Sequence, residues 1–394
     1  MTSPTTLTIN LINSFSVTTP IYAFITGTSL DAPSANSLFL LQSDGHTPYF
    51  PASPSSIGSP LQANCAIPLG PPTSTTTVTI PHLAGARLWF SVGTPLTFLL
   101  NPGPALVEPS VTNPSDPNID IAWSFAEFTF SAGGGLFANI SYVDFVCLPI
   151  SLTLTNASGG TQHVAGMGET GLSTVCQGLQ AQSAADGNPG WAQLVVSGKG
   201  GTGAPGQGQF LRALSPNNGI VINGSSFQGY FEPYVAQVWQ KYANAGALTV
   251  NTQAQWGSVN AQVDAGTGLL TFPEGITYAQ PSTRDIFSCS SGSLAPSSNI
   301  EQGAITARLA AAFNRSTLLS SNAIPATPSP GVYYQTSPTN HYSRIVHTAN
   351  LDGRGYAFPF DDVTPDGGQD QSGAVMDGSP SLLTVAVGGV GAYA

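Results

Sequence analysis

Hydrophobic and polar positions alternate in short runs over the first part of the chain. "TTLTINLIN" (5–13), "SLFLLQ" (37–42), "TTTVTIPHL" (75–83), "RLWFSVG" (87–93) and "LTFLLN" (96–101) are rich in β-branched and aromatic residues and are bounded by Pro, Gly, Ser or Asn. Period-two alternation sends successive side chains to opposite faces of a strand, and the bounding residues are turn formers. Residues 1–165 therefore read as short strands joined by turns, in the manner of a sandwich or barrel. "NPSDPN" (113–118) is a turn cluster, and two longer strand-like runs follow it, Ile121 to Phe130 and Ile140 to Thr155.

The period then changes. In "GLSTVCQGLQAQSAADG" (171–187), Leu172, Val175, Cys176 and Leu179 recur at helical spacing with a Gly behind them. "PYVAQVWQKY" (233–242) starts with Pro, which a first helical turn tolerates, and puts Val235, Val238, Trp239 and Tyr242 on one face. "SSNIEQGAITARLAAAFNRSTLL" (297–319) opens with Ser298-x-x-Glu301, a capping box, ahead of an apolar stripe from Ile300 to Phe313. Strand-like pieces, "WAQLVVSG" and "FLRALSP", lie between these helices. "GKGGTGAPGQGQ" (198–209) reads as a mobile hairpin loop; it lacks the Gly-Lys-Ser/Thr ending of a phosphate loop. In the tail, "GYAFPFDDV" and "SLLTVAVGG" return to β character. The pattern predicts one β domain built from both ends of the chain, residues 1–167 and 336–394, around a mixed α/β domain, 168–335. No internal repeat stands out.

Composition narrows the function classes. Charged residues are 7% of the chain, against about 25% in an average soluble protein. The formal net charge is −11 with only two lysines, Lys199 and Lys241, so the electrostatic footprint of a nucleic-acid binder is missing. A surface of hydroxyls, amides and aromatics suits a neutral, hydroxyl-rich polymer such as a polysaccharide, while the acidity equally serves solubility. No run reaches the roughly 18 apolar residues of a membrane helix, and the opening "MTSPTTLTINLINSF" has neither the basic nor the apolar segment of a signal peptide. Four sequons, at Asn139, Asn156, Asn223 and Asn314, fit secretion and also arise readily in so Ser/Thr-rich a chain. The four cysteines, 65, 147, 176 and 289, lack a CxxC spacing, which argues against a zinc or redox motif. Cys147, in an apolar run, is expected as a buried thiol; Cys176 and Cys289 are the pair most suited to a bridge.

Two acids fall where few are available. Glu127 in "IAWSFAEFTF" shares a face with Phe125 and Thr129, and Asp144 in "ISYVDFVCLP" with Tyr142 and Val146. If each strand buries its Phe-rich face, both acids point away from the core. A hairpin centred on Gly135 would make them near cross-strand neighbours. Two carboxylates on one groove suit glycosidic cleavage, one protonated to serve the leaving oxygen and one ionised to activate water or attack carbon. Direct opposition would give the roughly 5 Å of a retaining pair, whereas an inverting pair needs about 6.5–9.5 Å, and the spacing does not choose. The plainer reading makes them solvated polar positions on a two-stranded face. Other chemistries are weaker. The five histidines are scattered at 46, 82, 163, 341 and 347, and G-x-S-x-G does not occur. Trp191, Trp239 and Trp256 are sugar-platform candidates, with Trp239 better suited to a core.

"WSFAEFTF…GGLFANISYVDFVCLPISLTL" resembles the catalytic core of the laminaripentaose-producing β-1,3-glucanases, glycoside hydrolase family 64. "QFLRALSPN" and "HYSRIVHTANLDGRGYAFPFDDV" are similar to later landmarks of the same family, and "NISYVDFVCLPISL" and "YAFPFDD" also to segments of thaumatin-like proteins. The resemblance implies a mainly β fold: a thaumatin-like sandwich with an inserted mixed α/β domain and a wide groove between them. It implies inverting, endo-type hydrolysis of β-1,3-glucan, with laminaripentaose as main product and no metal or cofactor. Glu127 becomes the general acid and Asp144 the general base. Thr129, Phe137, Ser141 and Tyr142 become groove candidates, with Asp116, Arg344, Asp361 and Asp362 on the other side. Asp361-Asp362 also reads as a solvated turn or hydrogen-bonded fold element. Cys147 stands where the pattern expects Gly, and the "SAGGG" turn is longer than usual, which leaves subsite shape open. A secreted monomer is expected, and the alternative function is a thaumatin-like glucan-binding or antifungal protein without turnover.

Overall fold

The computed structural model describes residues 4–16, 18–201, 203–244 and 246–389. The ends of the predicted β domain, 1–3 and 390–394, and residue 202 of the Gly-rich loop lie outside the described residues. The fold is mainly β. Leu7–Asn13 alternates buried and half-buried residues along its whole length, as its period-two pattern requires. It belongs to a five-stranded sheet in the order Thr161–Val164, Ile150–Asn156, Pro380–Val387, Leu7–Asn13, Thr75–Ile80. The last described strand, Pro380–Val387, runs parallel to Leu7–Asn13 and antiparallel to Ile150–Asn156, so the tail does return to the first sheet.

The larger sheet runs Ala374–Asp377, Gly135–Ile140, Ala122–Ser131, Leu83–Val92, Ile21–Ser29, Leu38–Leu41, Pro48–Tyr49, with Ile67–Pro68 also pairing to Ile21–Ser29. The two sheets pack face to face, Ile150–Asn156 lying against Ala122–Ser131 and Gly135–Ile140. Phe128, Phe130, Leu136, Leu152, Leu154 and Val385 share the buried core. A side chain as fully buried as Phe130 contributes about 2–3 kcal/mol of hydrophobic stabilisation.

Between the sandwich strands the chain forms helices Gly171–Asp186, Pro189–Gln193, Pro216–Ile222, Glu232–Asn244, Thr283–Ser288 and Ile300–Asn314. A second five-stranded sheet, Thr277–Tyr278, Leu270–Thr271, Ser258–Val263, Leu248–Asn251 and Ala323–Ile324, lies among them. None of the described helices is long and apolar enough to cross a membrane.

Several expectations need correction. The capping residue of Ile300–Asn314 is Asn299, whose side chain accepts from the Gln302 amide; the box read at Ser298 and Glu301 is one residue out of step. Reciprocal capping occurs at Ser282 and Asp285 instead. "GYAFPFDDV" is no strand: the chain curls around the buried Asp361 carboxylate, which accepts from the Ala357 amide at 3.0 Å, and pairs with Arg315 at 2.9 Å. The tail also holds an unforeseen helix, His341–Ala349, packed on Gly171–Asp186. The close approach needs Gly178, where a Cβ would lie 2.9 Å from Ile345. All four cysteines are free and buried, so no Cys176–Cys289 bridge forms. Cys289 instead faces the Ile286 carbonyl and the Asn314 amide. Cys147 is the buried thiol expected of it.

Candidate active site

The run from Ile140 to Thr155 is not one strand. It breaks into Gly135–Ile140, Phe145–Val146 and Ile150–Asn156, and the break decides the site. The hairpin register pairs Glu127 with Asn139, not with Asp144. On its other side Glu127 pairs with Arg87 of Leu83–Val92. Arg87, Glu127 and Asn139 thus form one row across the sheet, and Thr129, Phe137 and Met376 the next row on the same face. Phe137 is 43% exposed and Met376 57%, so an apolar ledge lies beside the acid.

Asp144 sits past the point where the chain leaves the sheet. The Tyr142 amide donates to the Tyr356 carbonyl, its carbonyl accepts from Tyr342, and its hydroxyl donates to Asn350. Beyond it, the Asp144 carbonyl accepts from the Ser215 amide at 2.9 Å and from Asn218 Nδ2 at 3.0 Å. Phe145–Val146 then pairs with Phe210–Leu214, the strand that leads into helix Pro216–Ile222. Asp144 is therefore held by the mixed α/β region, while Glu127 is held by the sandwich.

Arg87 joins the two. Its Nε and Nη2 both donate to Glu127 Oε1 at 3.3 Å, and its Nη1 contacts Glu108. The guanidinium lies 4.8 Å from the Phe125 ring centre and 5.4 Å from that of Trp89, which fixes its plane. Glu127 Oε2 has no hydrogen-bond partner among the described residues. On one side of Arg87 a cavity of about 410 Å³ is lined by Gly85, Glu108, Glu127, Thr129, Phe137 and Asn139. On the other side a smaller one, about 160 Å³, is lined by Asp144, Asn218, Ser110, Thr112, Trp123 and Phe125.

Burial pushes the Asp144 carboxyl above the usual carboxylate range; the Glu127 charge adds to this, while Arg87 and Asn218 oppose it. Glu108 is likewise raised, first by burial, against the attraction of Arg87. Three carboxylates around one guanidinium make a site poised for proton transfer.

The remaining sequence candidates scatter. Thr129 and Phe137 line the larger cavity with Glu127. Tyr142 is 4% exposed and faces Asn350, and Ser141 is buried in a bridge to Tyr356. Asp116 accepts from the Ser110 and Asn118 amides and so shapes the loop that rims the smaller cavity. Arg344 donates to His341 and Gln182 within the helical region. Asp361 is a buried fold element between Arg315 and His347, whereas Asp362 is exposed. Trp191 and Trp239 are core residues, and Trp256 is half-buried. Asn139 of the first sequon is buried beside Glu127.

Arg87, Glu108 and Asn218 were missed. Arg87 had a legible signal, an arginine inside the predicted strand "RLWFSVG"; Glu108 and Asn218 lie in loop and helix stretches that are brought in by tertiary packing alone.

Glycoside hydrolase family 64, beta-1,3-glucanase, matches residues 5–387. The chain belongs to this family. A glucan endo-1,3-beta-glucosidase of Cellulosimicrobium cellulans is 29% identical over 317 residues, 78% of this chain. The chain spans 53%, about half, of that relative's own length. A crystal structure of a laminaripentaose-producing beta-1,3-glucanase in complex with laminaritetraose superposes with a TM-score of 0.82 at 29% identity, covering 97% of this chain and 98% of the other. The beta-1,3-glucanase domain of Clostridium beijerinckii shares the fold at 21% identity, with a TM-score of 0.72 over 98% of this chain and 99% of its own.

Proposed function

We propose that this family 64 protein hydrolyses β-1,3-glucan within the chain by an inverting two-carboxylate mechanism and releases laminaripentaose. The observation that carries the reading is the pair of acids on either side of Arg87, Glu127 on the larger cavity and Asp144 on the smaller. Glu127 is the general acid: Arg87 anchors Oε1, and Oε2 stays free to hold the proton. Asp144 is the general base. Burial raises its proton affinity, which makes it a stronger base, while Arg87 and Asn218 oppose the shift.

Asp144 takes a proton from a water, and the water oxygen attacks the anomeric carbon. Glu127 gives its proton to the glycosidic oxygen on the opposite face as the carbon–oxygen bond breaks. Inversion is supported by the departure of Asp144 from the cross-strand position and by the space beside it. The smaller cavity, about 160 Å³, exceeds the roughly 10–15 Å³ needed to seat a water. Thr129 and Phe137 form the sugar-binding floor. The substrate class is supported by the laminaripentaose-producing relative. We take the sandwich as a thaumatin-like domain, 1–167 and 336–394, with the inserted domain 168–335. Helix His341–Ala349 is the exception, since it packs on the inserted part. We further take the protein as a secreted monomer acting on cell-wall or storage glucan.

The test is a time course of products from laminarin and curdlan, with product anomers read by NMR, for wild type beside Glu127→Gln and Asp144→Asn. The expected result is a dominant α-anomeric pentasaccharide, lost in both variants, since general acid–base groups contribute about 10²–10⁴-fold each. Binding without cleavage in the wild type would leave a glucan-binding protein.

A further inference from the structure

The acid and base leave one carboxylate of the cluster without a role. Glu108 follows the short strand Ala105–Val107 and lines the same cavity as Glu127. Its carboxylate contacts Nη1 of Arg87, while Nε and Nη2 of the same guanidinium reach Glu127 Oε1. One cation is thus shared by two carboxylates, one on the neighbouring strand and one in the loop after Ala105–Val107. A general acid has to be protonated when substrate arrives, and a full positive charge held against it works the other way. The geometry of Arg87 serves orientation, but the whole charge on Glu127 would favour the ionised form.

We propose that Glu108 is a positioning residue for the proton donor: it draws off part of the Arg87 charge, so that Arg87 can fix Glu127 Oε1 without stripping the proton from Oε2. The inference rests on the assignment of Glu127 as general acid. The arrangement has the required elements. Arg87 is held in plane by Phe125 and Trp89, so it cannot swing wholly to either partner without losing that packing. The side chains of Arg87, Glu108 and Glu127 are each about one-third exposed, which leaves the cluster wet enough to exchange protons and dry enough for the charges to be felt. The charged groups facing the pair are Arg87 from the neighbouring strand and Asp144 from beyond Gly135–Ile140. Asn139, the cross-strand neighbour of Glu127, is neutral.

The experiment compares pH profiles of kcat/KM for wild type, Glu108→Gln and Glu108→Asp on two substrates. One is laminarin, whose leaving group needs a proton. The other is a 2,4-dinitrophenyl laminarioligosaccharide, whose leaving group does not. The expected result for Glu108→Gln is an alkaline limb on laminarin moved about one pH unit lower, with the plateau retained at acid pH. The aryl substrate is unaffected over the same range, and Glu108→Asp, which keeps the charge, restores most of the limb. Should Glu108→Gln melt early, Glu108→Asn is read in the same way. An unmoved limb in a folded variant overturns the inference. So does loss of both substrates at every pH, which would make Glu108 a catalytic group. These failures are distinct from failure of the underlying assignment, which would show as laminarin turnover surviving Glu127→Gln.

Discussion

Arg87→Met isolates the electrostatic argument, because methionine keeps an apolar stem against Phe125 and Trp89 while removing the charge. At the 3.3 Å separation from Glu127, a unit-charge interaction amounts to about 1.3 kcal/mol at the dielectric of water and about 5 kcal/mol at an effective value of about 20. With side chains 30% and 33% exposed, solvent screening puts the interaction near the lower end, about 1.4 kcal/mol, or tenfold in a protonation equilibrium. The donor must be protonated to act, and loss of the cation favours that form, so the alkaline limb should move up by about one pH unit. The base must be ionised to act, and Asp144 also loses the attraction of Arg87. The acid limb should therefore rise as well, and the whole bell should slide to higher pH. Glu127 loses its anchor at the same time, which should lower the plateau of kcat about 10–100-fold through misorientation. The assay is kcat and KM on laminarin from pH 4 to 9, with melting curves as a fold control. A bell that stays in place, or one that slides to lower pH in a folded variant, would refute the reasoning. The direction is opposite to that expected of Glu108→Gln, so the two substitutions check each other.

Two further outcomes follow from burial. The raised carboxyl of Asp144 means that its charge opposes folding at pH above that raised value and does not oppose it below the ordinary 3.8. Asp144→Asn should therefore melt higher than wild type at pH 7, with the difference disappearing as pH falls to about 4; a lower melting temperature at pH 7 would contradict this. The free thiols should be silent in the native protein, burial having pushed Cys65 and Cys147 up to about 11 and Cys176 up to about 12. A thiol reagent at pH 8 should label none of them quickly and all four in denaturant, with reductant leaving the melting temperature unchanged. Two missing thiols in denaturant would mean that a bridge forms.

The alternating runs determined most of the sandwich, because a strand with one face in the core needs period two whatever its neighbours are. Leu7–Asn13 and Ala122–Ser131 were legible for that reason, and Pro380–Val387 by its apolar length. Both acids were also legible, since acidic residues are scarce in this chain and Glu127 lies on the polar side of a strand with a Phe-rich face. Their relation was not. A hairpin centred on Gly135 assumes that the chain stays in the sheet to Thr155, whereas it leaves at Ile140. What takes it out is long-range: hydrogen bonds from Tyr142 to Tyr356 and Asn350, and from Ser215 and Asn218 to the Asp144 carbonyl. Partners such as Asn218 and Asn350, 74 and 208 residues away, leave no periodicity in the local sequence. The same holds for helix His341–Ala349, which depends on the gap at Gly178, and for Glu108, whose carboxylate meets Arg87 across a loop. The local pattern decided which residues face the core and which acids were available. Only tertiary packing decided that one guanidinium would stand among a carboxylate on the sheet, a second in the loop after Ala105–Val107 and a third held by the helical region.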